Sequence, residues 1–201
     1  MTAAGRYLRI CLLVLLLAGV VGASNAHIAH AIVPEKGMLL VANEQLTDPR
    51  FHNRVILVIQ HDTQGTAGLV INRPSRLLLD AVLPKGSKLA GQGRTLSYGG
   101  PVETQTLLAL VKVRNHPPEP AEEIIDNLYV TAVGVLDEWP DFADEVVDYR
   151  VFVGYTGWVS GQLDAELLRG DWHLLPADEQ GVFAGDGVLL WERLRQRVLK
   201  K

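Results

Sequence analysis

"VILVIQHDTQGTAGLVI", residues Val55 to Ile71, decides the architecture. Two β-rich apolar runs, Val55–Gln60 and Thr66–Ile71, flank the turn His61-Asp62-Thr63-Gln64-Gly65. Parallel strands need a crossover of a dozen or more residues, so so short a connection makes the pair an antiparallel hairpin. Asn72-Arg73-Pro74 ends the second run, because proline cannot donate to a ladder. Upstream, Gly37–Ala42 is wholly apolar and suits an interior strand. Asp48-Pro49 then breaks regular structure before Val55.

Working outward, further strands are expected at Leu107–Val113, Leu128–Val135, Arg150–Tyr155 and Trp172–Leu175. Leu77–Leu83 is read as a short helix, since Leu78, Ala81 and Val82 share one face. Pro84–Gly93 is a glycine-rich loop, Gly99-Gly100-Pro101 a tight turn, and Asn115–Glu122 a proline-rich surface connection. Asp137–Asp144 is expected to form an acidic helix capped by Asp137. Val188–Leu199 carries the clearest helical stripe, with Leu190, Leu194 and Val198 inward. A Glu192–Arg195 pair at i, i+3 and an Asp186 cap would support that helix. Strands outnumber helices without alternating with them, which defines an α+β chain rather than a doubly wound sheet.

The segment "VFVGYTGWVSGQLDAELLRGDW", Val151–Trp172, holds three glycines in its first half. It fits no phosphate-binding template. There is no G-x-G-x-x-G, and Gly161 is followed by Gln162 rather than lysine. Ser160 stands one position too late for a nucleophile elbow. Gly154 and Gly157 instead suit close backbone packing beside Tyr155 and Trp158. Ser160 is expected to cap a helix over Gly161–Arg169, with Gly170 closing it.

The first block differs from the rest. Arg6 and Arg9 precede the apolar run Ile10–Ala23, followed by small residues at Val21-Gly22-Ala23 and Ala29-His30-Ala31. That is the layout of a signal peptide, or of an N-terminal membrane anchor if it stays uncleaved, so residues 1–31 are set apart from one domain over 32–201. The chain holds 19 basic and 23 acidic residues. Residues 1–31 contain two of the basic ones and no acidic residue, leaving −6 for the remainder. Such a surface does not attract nucleic-acid phosphates. The single cysteine, Cys11, lies in the apolar run, so a processed protein would have neither disulfides nor thiolate chemistry.

Histidines are sparse after that segment: His52, His61, His116 and His173, with no pair at metal-ligand spacing. His61-Asp62 is a candidate oriented base, and Arg73 a candidate anion contact.

Three stretches together resemble the YqgE/AlgH family, also called UPF0301 or DUF179: Gly37–Pro74, "YGGPV" at Tyr98–Val102, and "GYTGWVSGQLDAEL" at Gly154–Leu167. The resemblance implies a mostly antiparallel, bifurcated sheet folded into a pseudo-barrel with flanking helices. It brings no established activity and no cofactor. Some members carry a label of transcriptional regulator. Family members normally lack a signal peptide and are cytoplasmic, whereas this chain is expected to be exported, periplasmic or anchored in the inner membrane. A common family proline two places after Ala42 is here Glu44.

The motif residues fall on turns: His61, Asn72, Arg73, Gly99, Gly100, Tyr155, Trp158 and Gln162. They are expected to converge on a shallow polar groove floored by glycine backbone, with Arg73 and Gln162 as donors. The leading expectation is a non-enzymatic binding or accessory protein of the bacterial envelope, taking a small ligand or a protein partner. It would meet a membrane only through the N-terminal segment and would not bind nucleic acid. A hydrolase or transferase using His61 and Asp62, and the family's regulator label, are the alternatives.

Overall fold

In the computed structural model, the described residues are 33–183 and 187–200. The hairpin forms as expected, with β2 (Val55–Asp62) antiparallel to β3 (Gly65–Val70). Its connection is only Thr63-Gln64, shorter than the expected five residues. The Asp62 carboxylate accounts for this, accepting the N–H groups of Gln64 (2.7 Å) and Gly65 (3.2 Å). β1 (Met38–Ala42) pairs antiparallel with β2 on one side and β10 (Trp172–Pro176) on the other.

The long strand β9 (Val146–Val159) joins this half to a second one, comprising β6 (Val102–Val113), β7 (Glu122–Ile125) and β8 (Leu128–Ala132). The order is β10-β1-β2-β3-β9-β6-β8-β7. Off that path, β4 (Pro74–Leu78) pairs with β5 (Thr95–Tyr98), and β5 lies parallel to β9 at Phe152 and Val153. The architecture is therefore α+β with a mostly antiparallel sheet. It is not closed into a barrel: no ladder joins β10 to β7. β7 only leans on the start of β1, through a Lys36–Glu122 ion pair (3.0 Å) and Ile125 packed on Gly37.

The sheet forks along one edge of β9, which pairs with β5 at Phe152–Val153 and with β3 at Thr156–Val159. The other edge pairs with β6 as far as Tyr155. At the fork, Gly99 N–H donates to Val153 O (2.9 Å), and Val70 N–H donates to Gly99 O (2.8 Å). A Cβ on Gly100 would lie 2.2 Å from the Tyr155 carbonyl carbon, and one on Gly99 would lie 2.1 Å from Gly154 O. Gly154 has φ +67° and would meet Gly100 O at 2.6 Å. Three peptide segments cross there with no room for a side chain.

Two cores form, and β6 and β9 contribute to both through alternate residues: Leu110 and Phe152 join the β1–β3 core, Ala109, Val111, Tyr149 and Val151 the other. β1–β3 bury Leu39, Leu40, Ile56, Leu57 and Leu69 against α3 (Gln162–Leu168) and α5 (Val188–Leu199). In α5, Leu190 and Leu194 face inward as expected, and Trp191 Nε1 donates to Ala42 O (2.7 Å). The other core packs Ala109, Val111, Tyr149 and Val151 against α1 (Val133–Glu138). Arg150 ties the halves together, donating to Ile71 O and Val182 O, each at 2.7 Å. Burial lowers its pKa to about 10, so it remains charged at neutral pH.

Several local expectations give way to tertiary context. Leu77–Leu83 is no α-helix: β4 runs to Leu78, and a 3₁₀ turn takes Leu79–Ala81. The Leu128 strand stops at Ala132, where α1 begins, and α2 (Phe142–Glu145) follows. Asp137 lies inside α1 and caps no helix; its carboxylate accepts from Ser87 Oγ and Lys88 N–H. Ser160 makes no cap either, because Gly161 at φ +74° is the N-cap of α3. The C-terminal expectation holds: Gly170 N–H donates to Leu167 O and Asp171 N–H to Glu166 O, the paired bonds of a Schellman motif. Arg195 reaches Glu44 (2.5 Å) rather than Glu192, which ties α5 to the loop after β1. Asp186, and the 1–31 segment, lie outside the described residues.

The fork yields the first prediction. Gly100→Ala is expected to cost more than about 3 kcal/mol of stability in urea unfolding, because backbone atoms cannot move aside. Gly91→Ala, at φ +75° with nothing within 4 Å, should cost only about 1–2 kcal/mol.

Candidate functional site

β9 has a free edge where the fork ends. Among the described residues, its stretch Thr156–Val159 pairs with β3 alone, and the β6 ladder reaches only to Val102↔Tyr155. Between Val102 and Leu107 the β6 register slips, and Glu103 adopts φ +48°. A concavity lies on each face of that edge. Ladder alternation sorts the lining residues, since successive side chains point to opposite faces.

On one face, Gln60, Ala67, Gly157 and Tyr155 border a concavity of 510 Å³, with Leu108, Val102 and Asp62. On the opposite face, Trp158 turns toward Trp172, Phe51 and Glu166 around a second concavity of 360 Å³. Val102, Gly157, Trp158 and Gln162 line both. Gly157 is exposed, and a Cβ there would meet nothing closer than 3.7 Å. Its missing side chain keeps the passage open.

The second face is held rigid by a carboxylate. Glu166 Oε2 accepts the indole N–H of both Trp158 and Trp172, each at 2.8 Å. Its Oε1 accepts from Gln162 Nε2 (3.0 Å). The two indoles meet edge to face at 6.2 Å, and Phe51 meets Trp172 likewise at 5.9 Å. This clamp was not legible in the sequence. Its partners stand eight and six residues from Glu166, and only the α3 turn and β10 bring them together. Arg50 and Arg169 sit on the rim, each paired at 2.6 Å, with Asp48 and Asp171 respectively. The Arg50 side-chain hydrogen bond holds the Asp48 carboxyl below its ordinary value.

Of the residues expected to converge, Tyr155, Trp158 and Gln162 line the trough. Gly99 and Gly100 serve the backbone crossing under Tyr155. Asn72 and Arg73 are at the far end of β3 from the hairpin turn and do not reach it. Asn72 is structural: its Oδ1 accepts Val55 N–H (2.9 Å), and its Nδ2 donates to Asn53 O and Gly187 O. Arg73 lies over the Tyr98 ring, 5.1 Å from its centroid. Gln162 donates within the protein, to Glu166, while its Oε1 accepts Val159 N–H at 3.2 Å.

His61 and Asp62 make no oriented pair. Consecutive strand residues face opposite ways, so Asp62 shares the Gln60 face while His61 faces with Thr66 and Trp158. The His61 ring meets Thr66 Oγ1 (2.7 Å), and Asp62 spends its oxygens on the turn and on Gln60 Nε2 (2.8 Å). His52 is placed by a contact with Leu46 O, at 3.3 Å. Among the described residues, no three metal-ligating side chains gather. A larger cleft of 640 Å³ between Lys88, Arg94, Phe142 and Tyr149 contains none of the expected residues. Its cations are already engaged, Arg94 by Asp148 (2.6 Å) and Lys88 by Trp139 O (2.5 Å).

The chain is thus an α+β protein with an open, mostly antiparallel forked sheet. The DUF179 AlgH-like family profile matches residues 39–200, and the chain belongs to that family. A UPF0301 protein of Mycobacterium leprae is 38% identical over 163 residues, covering 80% of this chain and 81% of the relative. A UPF0301 protein of Rhodococcus jostii is 36% identical over 182 residues, covering 84% and 90%. Among solved structures, a Corynebacterium diphtheriae protein superposes with TM-score 0.70 at 26% identity, covering 82% of this chain and 87% of that one. The solution structure of AlgH from Pseudomonas aeruginosa gives TM-score 0.65 at 29% identity, with the same coverage.

Asp62 at the lip of the trough supplies a pH-dependent prediction. The Gln60 side-chain amide, then the Gln64 N–H, hold its carboxyl below the ordinary value. A depressed folded pKa gives stabilisation that is present above the unfolded carboxyl range, about pH 4, and is lost as the pH falls through the folded value. The Gln64 amide shift is therefore expected to titrate below the range of an unstructured aspartate. Asp62→Asn should abolish that titration and leave the Trp158 indole resonance unmoved.

Proposed function

We propose that this protein is a non-enzymatic binding or accessory protein of the bacterial envelope, with its site at the free edge of β9. The supporting observation is the pair of concavities that meet over Gly157. The polar groups around them are already paired with one another, which suits recognition by shape and a few hydrogen bonds better than proton transfer. The envelope assignment rests on the basic-then-apolar layout of residues 1–31.

A hydrolase reading would have to use the contact between His61 and Thr66. That hydroxyl belongs to a residue only 7% exposed and is already taken up by the His61 ring. Nucleophilic attack needs an accessible oxygen beside the base, so binding is the better account. A regulator acting on DNA gains no support from a net charge of −6 over residues 32–201.

Two measurements check the reading. Mass spectrometry of the fractionated protein is expected to find it in the envelope, either cleaved after Ala23 or Ala31 or retaining the apolar run as an anchor. Recovery from the cytosol with an intact N-terminus would overturn the envelope assignment. An amide-shift screen of small aromatic and amide fragments is expected to move Tyr155, Gly157 and Gln162. Hits confined to the Lys88–Tyr149 cleft, or ester turnover abolished by His61→Ala, would overturn the binding site.

A further inference from the structure

We propose that the ligand of this trough is an extended polypeptide that adds a strand to the free edge of β9; the inference rests on the binding reading above. The first observation is the edge itself. Among the described residues, Gly157, Trp158 and Val159 have a ladder partner in β3 only, since β6 begins at Val102, opposite Tyr155. Such a row of unpaired peptide groups is a template for another strand.

The second is the treatment of Val159. Its N–H points away from β3 and is met by Gln162 Oε1 at 3.2 Å. A side-chain amide oxygen thus stands where the carbonyl of a neighbouring strand would be. Antiparallel alternation then directs the N–H and C=O of Gly157 toward the same open side. With no Cβ within 3.7 Å of a neighbour, Gly157 lets a second backbone come close.

The third is the arrangement of the two concavities. Side chains of an added strand would point alternately to the two faces of the sheet. One face offers 510 Å³ walled by Ile59, Ala67, Val102, Leu108 and Tyr155, which suits an aliphatic side chain. The other offers 360 Å³ beside Glu166, Asp48 and Asp171, with Arg50 and Arg169 already held by the last two. Asp62 lines the first concavity, and Glu103 meets Tyr155 Oη at 3.5 Å, adding acid at the rim. Acidic groups therefore outnumber basic ones around the trough, which favours a segment alternating aliphatic and basic residues. The same excess opposes a second copy of this chain, whose edge would bring the same carboxylates.

The probe is a seven-residue synthetic peptide alternating lysine and valine, titrated into the ¹⁵N-labelled full chain. Its control is the same peptide N-methylated at every amide, with charges and side chains intact and no backbone donors. The amides of Gly157 and Val159 are expected to shift and saturate, and the methylated peptide to bind at least about tenfold more weakly, the loss of one or two hydrogen bonds. Gln162→Ala removes the stand-in acceptor and is expected to tighten binding by about twofold to tenfold. If Gln162 were only part of the wall, the same variant would weaken binding.

Equal binding of the two peptides, or shifts that spare Gly157 and Val159, would overturn strand addition. So would movement of those amides on raising the protein concentration alone, which would assign the edge to a second copy. If the peptide fails while fragments still move Tyr155 and Gln162, strand addition falls and the binding site stands. If both fail, the trough itself is abandoned.

Discussion

The structure depends on a crossing of main chains. Gly99-Gly100 passes so close to Gly154-Tyr155 that a single methyl group on Gly99 or Gly100 would overlap backbone atoms. Steric exclusion of this kind has no soft neighbour to absorb it, unlike a tight contact with a long side chain. The crossing lets one edge of β9 serve two partners in succession, β5 and then β3. Without it the sheet could not branch at β9.

Branching has a consequence for the opposite edge. β6 begins at Val102, opposite Tyr155, and its register with β9 is broken between Val102 and Leu107, where Glu103 lies in the left-handed region. The last residues of β9 are left half-paired, and α3 folds back over them from Gln162. The tryptophan clamp gives that return a fixed geometry. Glu166 satisfies two indole donors that would otherwise be buried without partners, as Trp158 and Trp172 are 6% and 4% exposed. The free edge is therefore presented by a rigid frame rather than by a mobile loop.

The polar interior follows the same logic. Arg150 crosses between the halves and is received by two backbone carbonyls and the face of Phe152, the ring centroid 5.0 Å away. Ile71 O is one of those carbonyls, close to where the β3 ladder ends, so the guanidinium satisfies an acceptor that the sheet leaves over. Glu44 acts comparably outside the core, where its ion pair with Arg195 anchors α5. Both contacts join segments far apart in the chain.

What the sequence determined by itself was local. Alternation and turn chemistry specified the hairpin, the interior β1, the α5 stripe and the Gly170 stop, because each depends on neighbours within a few residues. Close packing was expected at Gly154 and Gly157 and only a tight turn at Gly99-Gly100; the structure crowds Gly99, Gly100 and Gly154 and leaves Gly157 open. Tertiary structure decided the rest. It drew Leu77 and Leu78, the start of the helix expected over Leu77–Leu83, into a strand against β5, a partner seventeen or more residues away. It separated Asn72 and Arg73 from Tyr155, since β3 lies between them and the hairpin turn, and it turned His61 and Asp62 to opposite faces. It also assembled Glu166 with Trp158 and Trp172 and exposed one edge of β9. Strand pairing and side-chain convergence are relations between distant segments, and periodicity along a chain carries no record of which segments meet.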